Sequence, residues 1–70
     1  MSEITLKAAR VNAGLTQENA ARELGITADT LRRYEKAESF PDVPIIKKIE
    51  ALYSVRYDQI IFCPETTVKP

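Results

Sequence analysis

Gly14 and Gly25 are the only glycines in this 70-residue chain, eleven residues apart, and each is followed two positions later by a threonine, Thr16 and Thr27. A glycine that tolerates the left-handed conformation ends a helix, and a threonine hydroxyl that accepts a backbone N–H starts one. The pair of punctuation marks therefore brackets a helix of about two turns, Gln17 to Leu24, with further helices on both sides. The preceding helix is read over about Thr5 to Ala13, with Leu6, Ala9 and Ala13 on one face at helical spacing. The following one runs from Ala28 to about Lys36, with Leu31 turned inward and Tyr34 and Ile26 nearby. Asp29 in its first turn suits the positive end of the helix dipole.

Beyond Ser39-Phe40-Pro41, read as a loop, Asp42 caps a fourth helix over Val43 to about Ser54. Pro44 fits its first turn, where a missing N–H goes unnoticed. Ile45, Ile46, Ile49, Leu52 and Tyr53 form an apolar stripe at 3.6-residue spacing, the strongest helical pattern in the chain. A short fifth helix is expected over Tyr57 to Phe62, stopped by Pro64, with residues 64–70 as a mobile tail. β-Branched residues never alternate cleanly with polar ones, so no sheet is expected. The fold class is all-α, a compact bundle of five short helices, in one domain over residues 1–63.

Composition closes off most chemistry. The chain has no His, no Trp and a single Cys, Cys63, so an internal disulfide, a Cys–His zinc site and a Cys–His nucleophile pair are all excluded. Cys63 reads as an ordinary, partly buried thiol. No glycine-rich phosphate loop is present, and each carboxylate has a nearby base or a capping role. The chain is therefore expected not to be an enzyme, with no cofactor, no metal and no small-molecule substrate. Its longest apolar run, Ile60-Ile61-Phe62-Cys63, falls far short of the roughly 20 residues that span a bilayer. Glu3, Lys7 and Arg10 do not make a signal peptide. A cytoplasmic location without membrane contact is expected. At this length one thin-cored domain is expected, without a separate ligand-sensing or oligomerisation module, so dimerisation would use the same small surface.

Two short helices joined through Gly25-Ile26-Thr27, with the small Ala21 on the first and Leu31 on the second, follow the logic of a helix-turn-helix. The stretch Gly14-Leu15-Thr16-Gln17, Ala21, Leu24-Gly25-Ile26, Leu31 and Tyr34-Glu35 resembles the lambda-repressor/Cro-like (XRE) DNA-binding domains. The resemblance continues through Ile49, Leu52 and Val55 to Asp58, Ile60 and Ile61, covering about residues 5 to 62. It implies a five-helix domain that dimerises on paired DNA half-sites, with the helix opened by Thr27 lying in the major groove. On that resemblance Thr16, Gln17, Lys36 and Ser39 would meet the phosphate backbone. Ala28, Asp29 and Thr30 would face base edges, with Arg32 and Arg33 one turn on, while Thr27, like Thr16 a helix cap first, would donate to phosphate. Arg10 and Glu35 would form a structural ion pair between the first and third helices.

Some positions depart from the family pattern. Ala37 stands where glycine is usual, so the third helix is expected to run on or to end differently. Ala20 replaces a usual Leu, and Arg56 occupies the N-cap of the last helix. In the reading positions Ala28 offers only apolar contact with a thymine methyl, and Asp29 accepts from cytosine N4 while repelling phosphates.

The chain has ten Lys plus Arg against ten Asp plus Glu, a net charge of zero. Between residues 16 and 38 the basic set (Arg22, Arg32, Arg33, Lys36) is outnumbered by the acidic one (Glu18, Glu23, Asp29, Glu35, Glu38). Phosphate neutralisation supplies much of the affinity of DNA-binding proteins, so binding would depend on charge segregated by face. Two functions stay open. One is a homodimeric regulator of double-stranded operator DNA in a phage or plasmid switch, with Tyr57, Ile60, Ile61 and Phe62 at the dimer interface. The other is an anti-repressor of the same fold that grips a partner repressor protein, favoured by the neutral charge, Ala28, Asp29 and the apolar C-terminal run.

Overall fold

Each helix of the molecule starts on the side-chain oxygen that its sequence supplies. In the computed structural model, which describes residues 3–62, the α-helices are α1 (Leu6–Asn12), α2 (Gln17–Leu24), α3 (Ala28–Glu35) and α4 (Val43–Tyr53). Thr5, Thr16, Thr27 and Asp42 precede them with extended backbone, and each accepts from the amide three residues on. The acceptor distances are 3.0 Å to Ala8, 3.0 Å to Asn19, 3.1 Å to Thr30 and 3.3 Å to Ile45. Every such bond satisfies an amide that the helix itself leaves unpaired. Pro44 sits in the first turn of α4, where it removes no helical bond.

All four helices also end alike. A residue of positive φ follows each one: Gly14 at 78°, Gly25 at 76°, Ala37 at 62° and Ser54 at 58°. The amide after it closes on the carbonyl five residues back, Leu15 on Arg10, Ile26 on Ala21, Glu38 on Arg33 and Val55 on Glu50, at 2.9–3.2 Å. That closure satisfies carbonyls that would otherwise be orphaned at the helix end. The expectation that the missing glycine at 37 would extend or alter the end of α3 is corrected here. The helix stops at Glu35 as a glycine would stop it, with the alanine Cβ held in the left-handed region.

The core lies between the helices. Leu6, Leu24, Leu31 and Ile49 are fully buried, one from each α-helix, joined by Ala9, Ala20, Ala21, Tyr34 and Tyr53. Ala20 and Ala21 leave α2 thin on its inner face, and α2 packs most extensively against α3. Ala13, expected on the buried face of the first helix, is instead exposed and lies past its end as the C-cap.

Two further expectations fail at the C-terminal end. The fifth helix is replaced by a single 3₁₀ turn, Tyr57–Gln59, followed by a strand β2 (Ile60–Ile61). That strand pairs in parallel with β1 (Ile4–Thr5), Ile4 opposite Ile60 and Thr5 opposite Ile61. Consecutive β-branched isoleucines prefer the extended form, and the ladder ties both ends of the described chain together. The all-α class holds, with this two-residue ladder as its only sheet among the described residues. Cys63 and residues 64–70, read above as a thiol and a tail, lie outside the described residues.

Because Ala37 occupies a conformation that costs an L-residue about 1–2 kcal/mol, part of it offset by the freer unfolded chain of glycine, Ala37→Gly is expected to stabilise the protein by about 0.5–1 kcal/mol. Urea unfolding followed by circular dichroism measures it; a midpoint unchanged or lowered would contradict this account of the α3 terminus.

Candidate nucleic-acid interface

The orientation of α2 and α3 is set by a polar network beneath them. Arg10 on α1 donates from Nε to Glu35 Oε2 at 2.7 Å and from Nη2 to Glu35 Oε1 at 3.4 Å. Its remaining arm, Nη1, donates to the Leu15 carbonyl in the α1–α2 turn at 2.9 Å. Gln17, the first residue of α2, donates from Nε2 to Glu35 Oε1 at 3.0 Å. One carboxylate thus receives α1 and α2 and holds α3 against both. The pair is nearly sealed, with side-chain exposures of 9% for Arg10 and 4% for Glu35, so it is far less screened than a surface bridge. Tyr53 is buried beside it. Desolvation above all, then the Glu35 charge, with Arg10 opposing, push its phenol up to about 12. Its hydroxyl has no hydrogen-bond partner among the described residues.

The residues read as DNA contacts separate into three groups. Thr27 and Thr30 serve the start of α3. Thr27 caps the helix, and the two hydroxyls share a hydrogen bond of 2.8 Å. Ala28 is half-buried and packs against the core rather than standing free. Thr16 is exposed at the start of α2, where its hydroxyl accepts the Asn19 amide. Gln17 is half-buried, with one amide hydrogen committed to Glu35 and a second remaining.

Asp29, Arg32 and Arg33 form the third group, on the outer face of α3. Arg32 Nη2 bonds Asp29 Oδ1, and Arg33 Nε donates to Asp29 Oδ2 at 3.1 Å. Their side chains are 42–57% exposed, so the cluster stands in solvent. The Arg32 hydrogen bond above all, opposed by desolvation and helped by the charges of Arg32 and Arg33, holds the Asp29 carboxyl below its usual range. The same contact raises Arg32. Lys36 is exposed just past α3 and Ser39 is half-buried in the loop. Reading Asp29 as a dipole-stabilising acid and a cytosine acceptor missed its bond to two arginines, although the i, i+3 and i, i+4 spacing was present in the sequence.

Elsewhere on the surface, Tyr57, Phe40 and Val43 expose large apolar surfaces, 51%, 61% and 62% respectively. Phe62 is half-buried and packs edge-on against Phe40, with centroids 6.1 Å apart, and against Tyr57 at 5.9 Å. Ile60 and Ile61 are half-buried within β2. Among the described residues no cluster of three His, Cys, Asp or Glu could hold a metal ion, and no helix is long and apolar enough to cross a membrane.

Two short helices meeting across a glycine turn, with the second turned outward and fixed from below, define a helix-turn-helix domain. A family model described as helix-turn-helix matches residues 6–60, and the chain belongs to this XRE family, a family of transcription-regulator domains rather than of enzymes. It is similar to the HTH-type transcriptional regulator ImmR of Bacillus subtilis (strain 168), with 38% identity over 64 residues. The match covers 91% of this chain and 50% of that protein, so the chain spans about half the length of the curated relative. No solved structure gives a significant match.

If the buried pair organises the three helices, Arg10→Met is expected to lower stability by about 3–5 kcal/mol, because it strands the Glu35 carboxylate. The double variant Arg10→Met, Glu35→Leu should recover most of that loss in urea unfolding. A double variant as unstable as the single one would show that the pair contributes through packing rather than through charge.

Proposed function

We propose that this protein is a transcriptional regulator that binds double-stranded operator DNA as a homodimer, in a phage or plasmid genetic switch. The observation that carries the reading is the helix-turn-helix itself: α3 is fixed by the Arg10–Gln17–Glu35 network with Arg32 and Arg33 on its outer face. Membership of the helix-turn-helix family and the likeness to ImmR support the same reading. It requires a cytoplasmic location.

In this account α3 enters the major groove and its first residues meet base edges. Arg33 or Arg32 donates to guanine O6 and N7, while Thr16, Gln17, Lys36 and Ser39 meet phosphates on either side. Glu35 fixes one amide hydrogen of Gln17, so the other is oriented before DNA arrives. Ala28 contributes apolar contact at most. A dimer would use the face of Tyr57 and Phe62 with Phe40 and Val43, next to a surface hollow of about 360 Å³ lined by Val43, Ile46, Lys47, Glu50 and Tyr57. Ile60 and Ile61 support that face from β2. Exposed Phe40 and Tyr57, both packed against half-buried Phe62, make an apolar aromatic face of the kind in which protein interfaces are enriched.

The same apolar face supports a second reading, an anti-repressor that docks on a partner repressor. A salt-series fluorescence titration separates the two. Operator reading predicts binding to duplexes from the protein's own promoter region, weakening steeply with salt and by about tenfold or more in Arg33→Ala. No binding to any such duplex at low salt, with loss of a partner repressor's DNA binding when this protein is added, would favour the second reading and defeat the first.

A further inference from the structure

Asp29 sits in the second position of α3, with its carboxylate shared between Arg32 and Arg33. Resting on the DNA-binding reading above, we propose that Asp29 is the specificity-determining residue of the surface: it couples one of its two arginines to a C·G base pair and suppresses the use of both on DNA lacking one.

Ionised, a carboxylate only accepts hydrogen bonds. In the major groove only cytosine N4 and adenine N6 donate. Adenine places the acceptor N7 next to its amino group, facing the second carboxylate oxygen, whereas cytosine places an apolar C5–H there. Cytosine is the base that satisfies Asp29 without a repelled neighbour. Its partner guanine offers O6 and N7, the acceptors that an arginine fork fits. A C·G pair therefore satisfies the carboxylate and one guanidinium together. Arg33 is held through Nε, which leaves both terminal nitrogens available.

On other DNA the same trio works against binding. Drawing Arg32 and Arg33 toward phosphates strips Asp29 of its partners and leaves a bare carboxylate among like charges. Keeping the ion pairs leaves each arginine partly neutralised, and counterion release is correspondingly smaller. An acid that merely complements the helix dipole would need neither arginine. Here it holds both at once, at the turn of α3 that would enter the groove. Those contacts also shift its carboxyl further toward the ionised form.

The test is in vitro selection from a random duplex pool with wild type and Asp29→Asn, followed by titration of the enriched duplexes and of the unselected pool. Asp29→Asn keeps shape and removes charge at an exposed site, and a superimposable circular dichroism melt checks its fold. Wild type is expected to enrich a C·G pair at one fixed position in each half-site. Asp29→Asn should lose that preference and bind the unselected pool more tightly. Its ratio of affinity for the wild-type-selected site to affinity for the unselected pool should fall about tenfold relative to wild type. A ratio that falls less than fivefold, or rises, overturns the role of Asp29 while leaving DNA binding intact. Failure of both proteins to retain any duplex at low salt overturns the DNA-binding reading and this inference together.

Discussion

The buried Arg10–Glu35 pair is the contact on which the arrangement of this small protein depends. Leucines and isoleucines supply most of the driving force for folding, but apolar contacts are non-directional and would tolerate several packings of four short helices. Ion pairs buried this deeply contribute little net stability over apolar replacements, and their value lies in geometry. Glu35 has two oxygens; Arg10 takes both and Gln17 shares one, so α1, α2 and α3 are related at a single point. Arg10 also grips the Leu15 carbonyl, fixing the turn before α2. The face that α3 turns outward follows from that point.

The same pair changes the meaning of the charge balance. Counted along the sequence, the helix-turn-helix looks acidic, because Glu35 is included and Arg10 is not. In the fold Glu35 is neutralised from beneath by Arg10, which leaves the exposed charges of residues 16–38 at four basic and four acidic. On the outer face of α3 two arginines stand against one aspartate, with Lys36 next in line. Neutral composition is thus compatible with a locally cationic reading helix. The three charges are so closely coupled that sequence preference and electrostatic affinity are expected to change together.

Much of the fold was legible before any coordinates. Thr16, Thr27 and Asp42 marked helix starts by chemistry alone, Gly14 and Gly25 marked two ends, and the stripe of α4 announced its buried face. Ala37 and Ser54 were not legible as terminators, since nothing intrinsic to alanine or serine favours positive φ. Strands of two residues, Ile4–Thr5 and Ile60–Ile61, have no alternation to detect, and only their meeting in space makes them strands. Within the interface, the pairing of Arg10 with Glu35 was expected from family resemblance rather than from spacing, since 25 residues separate them. The link from Gln17 to the same carboxylate, and the hold of Asp29 on two arginines, emerged only with side chains in place.

α3, oriented by the Arg10–Glu35–Gln17 network, is the surface proposed to meet DNA. Amide chemical-shift mapping by NMR, with a duplex selected from a random pool titrated into the preformed dimer, tests it directly. Thr16, Gln17 and the residues from Thr27 to Arg33 are expected to shift together, while amides around Ile46 and Lys47 on α4 stay in place. Shifts confined to Phe40, Val43 and Tyr57, with α3 unmoved, would contradict it.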